Sequence, residues 1–332
     1  MMANQNGDIN FTTDVLRDES LCEFILQYDV VWSDSCNWAD IVLPDLTPQE
    51  TYSLSAAGES NDVEGMRFGQ PVYEPKFERR EIYEVCGELA RRLGVYDEYS
   101  EGGLTREDWC RKLYDELRAE RPELPTYDEG VAMGCFTFDI EPDDEVDPFI
   151  VDPAANPLET ATGKIQIYAP ELAEFESTWE IGEHDIIAPI PVYDPGYDGP
   201  DSLTDEFPLQ IQGFHTKGTT HSTYACNPVL NEIVPFQAWV NPIDAEKYGI
   251  ADCDSIRIVS ALGEIRTTAK VTNRVIPGVV MYPQGAWHSA DMQGDRVDHG
   301  GCINTLCSRH ANSVSKGTGQ HSVIGRIEKV EA

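Results

Sequence analysis

The carboxy-terminal stretch PQGAWHSADMQGDRVDHGGCINTLCSRHANSVSKGTGQHSVIGRIEKV holds the densest set of side chains able to do chemistry. From Gly294 to Gln320 apolar periodicity is weak. In its place stand a Gly300-Gly301 pair, a KGTGQH run, and Asn, Gln and His side chains that both donate and accept hydrogen bonds. Polar loops of that length are seldom filler in a compact domain. Their mixed donors and acceptors suit the edges of a flat heterocycle. Trp287, Asn304, Gln320 and His321 are the candidates here. Taken one at a time each has a plainer role, since a lone tryptophan is core or interface in most proteins.

Two further constellations stand upstream. GFHTKGTTHSTY (213–224) directly follows a strand-like run. Its glycines free backbone N–H groups, and its hydroxyls add donors, a combination that suits a pyrophosphate. A polar hairpin loop reads the same way on composition alone, and the phosphate-loop pattern G-x-x-x-x-G-K-[ST] is absent. In WSDSCNWADIVLP, Asp34 stands just past another strand-like run. An acidic residue there grips a ribose or base edge in many open α/β sheets, but it is also the ordinary residue of a turn or cap. His299, Cys302, Cys307 and His310 form H-x2-C-x4-C-x2-H. That pattern lacks the paired knuckle ligands of structural zinc, so packing cysteines are expected. No G-x-S-x-G, H-E-x-x-H or post-strand G-x-G-x-x-G competes.

The elements that must position these residues fall into three stretches. Residues 1–105 read as α/β. The apolar run within 22–32, the turn and short helix at 33–40, and IVLP (41–44) give strand, crossover and strand, which predicts a parallel pairing. Ile82, Val85, Cys86, Leu89 and Leu93 lie at helical spacing, with Gly94 as C-cap; Trp109, Leu113 and Leu117 mark a second helix closed by Pro122. Residues 106–205 are rich in proline and acidic clusters such as EPDDEVD (141–147), and read as an irregular connecting region with short hairpins, for example GKIQIYAP (163–170). From 206 to 332 the pattern is mainly β. PLQIQG and the alternating 255–283 stretch predict short strands of a small barrel, and Asn241-Pro242 with Gly249 bounds a short helix.

Composition excludes several classes. The formal charge of −35 repels nucleic-acid phosphates, and it reads as a solubility adaptation. No apolar run approaches the roughly eighteen residues of a membrane span, so no direct membrane insertion is expected. MMANQNGDIN has neither the basic region nor the apolar core of a secretory signal. Nine cysteines without a C-x-x-C pair argue against a disulfide framework and against an iron–sulfur ligand run.

The order G-A-W-H, D-H-G-G-C-I-N and K-G-x-x-Q-H, together with S-D … A-D-I-V-L-P, resembles the carboxy-terminal portion of the DMSO reductase family of molybdopterin oxidoreductases, in particular the catalytic A chains of anaerobic dimethyl sulfoxide reductases. The likeness is strongest over about 205–330. It implies an α/β remnant of a dinucleotide-binding domain followed by a double-psi, aspartate-decarboxylase-like barrel, and as cofactor molybdenum bis(molybdopterin guanine dinucleotide). By that resemblance Ser33 and Asp34 contact a guanosine. Gly213, His215, Thr216, His221 and Ser222 lie beside pterins and phosphates, and Trp287, Asn304, Gln320 and His321 cross the cofactor. The family's iron–sulfur cluster, metal-ligating residue and twin-arginine signal belong to an amino-terminal part that this sequence does not match. The chain is therefore expected to be a fragment, inactive alone, whose partners are that amino-terminal half, an iron–sulfur subunit and a membrane anchor on the outer side of the cytoplasmic membrane. The rival expectation is a non-catalytic nucleotide-binding or interaction module.

Overall fold

A computed structural model describes residues 5–56, 65–137, 146–182, 185–319 and 321–331. Gln320, the first four residues and positions 141–145 of the acidic run lie outside them. The elements run α1 (Ile9–Arg17), β1 (Leu26–Asp29), β2 (Ile41–Pro44), β3 (Ser53–Ala56), β4 (Gly65–Gly69), α2 (Ile82–Leu93), α3 (Tyr96–Ser100), α4 (Arg106–Glu120), α5 (Tyr127–Met133), β5 (Cys135–Thr137), α6 (Pro148–Val151) and α7 (Pro170–Thr178). They continue with β6 (Leu209–Phe214), α8 (Pro228–Ile233), β7 (Gln237–Val240), α9 (Pro242–Tyr248), β8 (Ser255–Val259), β9 (Glu264–Val271), β10 (Val279–Pro283) and β11 (Val323–Lys329).

The chain divides into two compact units. One comprises Met1–Gln27, Trp32–Ile41 and Ile167–Ala332; the other comprises Tyr28–Val31 and Val42–Gln166. β1 and β2 pair with each other. Ile41 N–H donates to Ile25 O at 3.3 Å and Asp45 N–H to Asp29 O at 3.0 Å. Both bonds keep one offset along the chain, which is the parallel sense that strand, crossover and strand predict.

The first unit is built on a closed six-stranded barrel in the order β10-β6-β11-β8-β9-β7. β10 with β6 and β7 with β9 are parallel; the other neighbours are antiparallel. Alternating residues point inward because strand side chains alternate faces. Ile211, Val240, Ile256, Ile258, Ile265, Val280 and Ile327 thus fill one core with Tyr282, Leu306 and Cys307. The hairpin between β8 and β9 closes where Ser260 N–H donates to Gly263 O at 3.0 Å, at the Leu-Gly turn. α9 begins as its sequence dictates: Asn241 Oδ1 accepts Ile243 N–H at 2.9 Å, Pro242 follows, and Gly249 ends the helix at φ 66°. α1 packs within the same unit, where Asp8 N–H donates to Cys307 O at 2.8 Å and Arg296 forms a bidentate pair with Asp14.

The second unit centres on an antiparallel sheet in the order β3-β4-β5. Met66, Phe68, Cys110, Tyr114, Leu124 and Tyr127 form its core. Phe68 meets Tyr114 edge to face at 5.0 Å, and Tyr114 donates its hydroxyl to Pro125 O at 2.9 Å. Reciprocal capping boxes, Thr105 with Asp108 and Thr126 with Glu129, start α4 and α5. α4, α5 and β5 all lie in the 106–205 stretch, so its first part is built structure. Its hydrophobic signal is weak because two of its main core residues are tyrosines. The hairpin expected at GKIQIYAP is absent: 163–169 contain no strand, and Ile165 and Ile167 are 71% and 72% exposed. Alternation alone does not make a strand where no neighbour offers a ladder. Among the described residues, no helix is long and apolar enough to cross a membrane.

Candidate functional site

β6 and β10 run side by side in one direction, and Phe214 pairs with Pro283 at their common end. The loops that follow both strands therefore leave from one edge of the barrel. His215 opens the first loop and Gln284 the second. Gln284 N–H donates to Phe214 O at 3.0 Å. Its side-chain Nε2 stands 3.1 Å from His215 Nε2 and 2.9 Å from His221 Nδ1. The two imidazoles meet edge to face at 5.0 Å and are exposed, so the group faces solvent.

The 213–224 loop is tightly bent. Thr223 N–H donates to Thr220 O at 2.9 Å, and Thr216 Oγ1 accepts Gly218 N–H at 3.3 Å. His221 (φ 50°) and Tyr224 (φ 70°) occupy the left-handed region, which costs a non-glycine residue about 1–3 kcal/mol each. The compensating contacts come from the second loop. Trp287 Nε1 donates to Ser222 O at 3.0 Å. Gly285 (φ 100°) lies so close that a Cβ on it would stand 1.9 Å from His221 O. Gly213, His215, Thr216, His221, Ser222 and Trp287 are thus brought to one edge.

Ser33 and Asp34 join the same unit through the next residue along. Asp34 Oδ2 accepts His288 N–H at 3.1 Å, while Oδ1 has no hydrogen-bond partner. Both residues are buried, and burial raises the Asp34 carboxyl above the usual carboxylate range, against the lowering by the His288 and Ser35 N–H groups. The His288 ring is buried as well, with Nε2 3.1 Å from Asn10 Oδ1 and Nδ1 without a partner. Burial pushes this imidazole down, which keeps it neutral. Asn304 is buried in the 3-10 turn Ile303–Thr305 and does not line an open surface. His321 is exposed, and its carbonyl accepts Gln212 Nε2 at 3.0 Å.

The residues of the H-x2-C-x4-C-x2-H pattern are split by environment. Cys302 and Cys307 are buried, with burial pushing the Cys307 thiol up to about 12. His299 is exposed, and His310 stacks on Tyr197 at 4.0 Å. Among the described residues no group of three or more His, Cys, Asp or Glu is placed to hold a metal ion. A cleft of about 660 Å³ belongs to the second unit; its arginines 79, 91 and 106 are paired with Glu50, Glu88 and Glu81.

Sequence reasoning did not nominate Gln284, His288 or Asn10. Gln284 was within reach, because it follows the VVMYP strand as Asp34 follows its own. Asn10 carries no signal, since an asparagine near a helix start reads as ordinary capping chemistry.

Family comparisons agree on both ends of the chain. The model for Molybdopterin oxidoreductase matches residues 3–92, and that for the Molydopterin dinucleotide binding domain matches 209–324. Dimethyl sulfoxide reductase DmsA of Escherichia coli (strain K12) is 41% identical, over 99% of this chain and 40% of its own length. DmsA of Haemophilus influenzae is 38% identical, over 99% and 41%. The dimethyl sulfoxide/trimethylamine N-oxide reductase of Rhodobacter capsulatus is 30% identical, over 94% and 38%. The chain thus spans about two fifths of the length of these relatives. In fold it is similar to acetylene hydratase from Pelobacter acetylenicus, with a TM-score of 0.71 at 16% identity over 99% of this chain and 43% of that one. With two family models matched at separate places and this likeness running through nearly every residue, the chain belongs to the dimethyl sulfoxide reductase family of molybdopterin oxidoreductases.

Proposed function

We propose that these 332 residues hold and orient molybdenum bis(molybdopterin guanine dinucleotide) in an oxidoreductase whose intact form reduces an S-oxide or N-oxide acceptor. The observation that carries this reading is the paired-loop edge at the ends of β6 and β10. There the exposed His215 and His221, with the half-buried Gln284 against both, present donors and acceptors beside a ring anchored at Trp287. The donor set fits the group. Imidazole and amide edges match a heterocycle, while the hydroxyls of Thr216 and Ser222 and the nearby Lys217 match phosphate oxygens. Asp34 Oδ1 is a buried acceptor still lacking a donor, which a guanine edge would supply once the turn opens to it. When bound, the cofactor supplies two-electron oxygen-atom transfer chemistry. This chain's part is to bind, to orient and to keep the Trp287 side of the site dry.

The two parallel strand pairs separated by antiparallel neighbours support a double-psi barrel of the aspartate-decarboxylase-like type. Residues 1–105 make up the dinucleotide-domain portion, 106–205 the connecting region and 206–332 the barrel. Metal ligation, the iron–sulfur cluster and the electron-transfer and membrane-anchor partners belong to segments and subunits beyond the matched portion, on the outer side of the cytoplasmic membrane after twin-arginine export. The 332 residues by themselves do not turn over an oxide.

Calorimetric titration of the full chain with GDP and with ADP tests the binding claim. GDP is expected to bind more tightly, and a His215→Ala, His221→Ala double variant is expected to weaken it. Equal affinity for both nucleotides, unaltered in the variant, refutes the reading. Reduction of S-oxides by the isolated chain with reduced viologen refutes the assignment of catalysis to segments beyond it.

A further inference from the structure

We propose that Asp298 is the positioning residue for the loops that carry Trp287 and Asn304, one buried carboxylate setting both. Its side chain is wholly buried yet accepts four hydrogen bonds. Oδ1 takes the N–H groups of Ser289 at 2.8 Å and Gly300 at 2.9 Å. Oδ2 takes the Cys302 N–H at 2.7 Å and the Thr305 hydroxyl at 3.0 Å. Its backbone is pinned separately to the barrel. Asp298 N–H donates to Glu264 O and Arg266 N–H donates to Asp298 O, both at 2.9 Å, in line with β9.

The spacing of the four donors gives this carboxylate its meaning. Ser289 lies two residues beyond Trp287, whose indole anchors the 213–224 loop. Cys302 and Thr305 bracket Asn304. A carboxylate is the one short side chain with acceptor sites for four donors and no hydrogen of its own. An amide would turn an N–H₂ toward two of them, and a glutamate would bring an extra methylene into a wholly buried site. The two loops also touch directly: a Cβ on Gly300 would stand 1.9 Å from Trp287 O, so nothing but backbone fits between them. One anionic group fixed to a barrel strand therefore sets the height of both loops above the barrel. Charge-assisted bonds of this kind are shorter and about twice as strong as neutral ones.

The consequence for ligand affinity rests on the dinucleotide reading above; the positioning itself does not. The full chain, labelled with ¹⁵N, reports both. The Trp287 indole N–H is identified by its loss in Trp287→Phe, and the Asn304 amide by its loss in Asn304→Asp. In Asp298→Asn, both resonances are expected to move, while the indole of Trp109 in the second unit stays in place, and GDP affinity is expected to fall about ten-fold or more. A change in global stability alone leaves the folded-state resonances where they are. Unmoved Trp287 and Asn304 signals in Asp298→Asn overturn the proposal. If that variant does not fold, Thr305→Val removes one donor only. It is expected to shift the Asn304 amide and spare Trp287, and an unshifted Asn304 amide overturns the proposal equally. A wild-type chain that ignores GDP refutes the dinucleotide reading, while the resonances still decide the role of Asp298.

Discussion

Replacing Gly285 by alanine probes how the two site loops are held together. Two costs apply. The residue sits at φ 100°, a conformation that costs an L side chain about 1–2 kcal/mol. The new Cβ would also stand 1.9 Å from His221 O, 2.6 Å from His221 C and 3.2 Å from Ser222 N. All three are backbone atoms that cannot rotate away, and forcing such an overlap adds about 1–3 kcal/mol. The sum is about 2–5 kcal/mol. Gly278 supplies the control. It lies before the opposite end of β10, has φ 83°, and a Cβ there meets nothing within 4 Å, so Gly278→Ala carries only the conformational cost of about 1–2 kcal/mol. Melting temperatures for units of this size move about 2–4 °C per kcal/mol, so Gly285→Ala is expected to lose about 4–20 °C against about 2–8 °C for Gly278→Ala. Thermal unfolding followed by tryptophan fluorescence and by circular dichroism gives both values. Equal losses in the two variants would mean that the 284–287 loop does not rest on the His221 carbonyl, and the argument for a joined pair of loops would fail.

Other perturbations probe separate groups. In the second unit, Glu50 is held at about 2 by the Thr47 N–H, with burial opposing and the Thr47 hydroxyl, Lys76 N–H and Arg79 assisting. A depressed carboxyl stabilises above its ordinary value of 4.5, and that contribution is lost as pH falls toward 2. Glu50→Gln is therefore expected to destabilise the chain at pH 7 and to converge with wild type below pH 4.5; a gap independent of pH contradicts this. His288, held neutral by burial, makes stability fall as pH drops below 6.5, because only the unfolded ring takes up the proton readily. His288→Gln should lose that slope in denaturant midpoints, and an unchanged slope argues against a neutral buried ring. Cys302 and Cys307 are expected to resist iodoacetamide at pH 8 until the barrel unfolds, while exposed Cys135, Cys226 and Cys253 react; labelling of Cys307 in the folded chain, read by peptide mass, would place it outside the core.

Much of the fold was legible where local chemistry decides it. Gly94, Asn241-Pro242 and Gly249 act as caps because left-handed and orphan-donor positions accept few residue types. β8 and β9 alternate because one face must fill the barrel. The GKIQIYAP pattern failed for the opposite reason, since pairing is decided by a partner strand and none of the described residues pairs with it as one. The site was legible as three separate segments but not as one assembly. Trp287 and Ser222 were both nominated, yet nothing in either segment says that an indole donates to that carbonyl. Asp298 was hidden among abundant acidic residues, and only its burial and its four donors distinguish it.

β11 follows every other strand of the barrel in chain order, yet it lies between β6 and β8. During synthesis the other five strands are complete well before residues 323–329 leave the ribosome. Until then β6 and β8 are both open edges, able to pair with any exposed strand nearby. The barrel cannot close before β11 emerges, and a chain stopped at Ser322 would carry every residue that anchors Trp287 while lacking the strand that closes the wall beneath it. Nascent chains are therefore most vulnerable to strand exchange and most in need of a chaperone in the interval before β11 emerges. Its insertion is the step that joins β6 to β8 and closes the barrel.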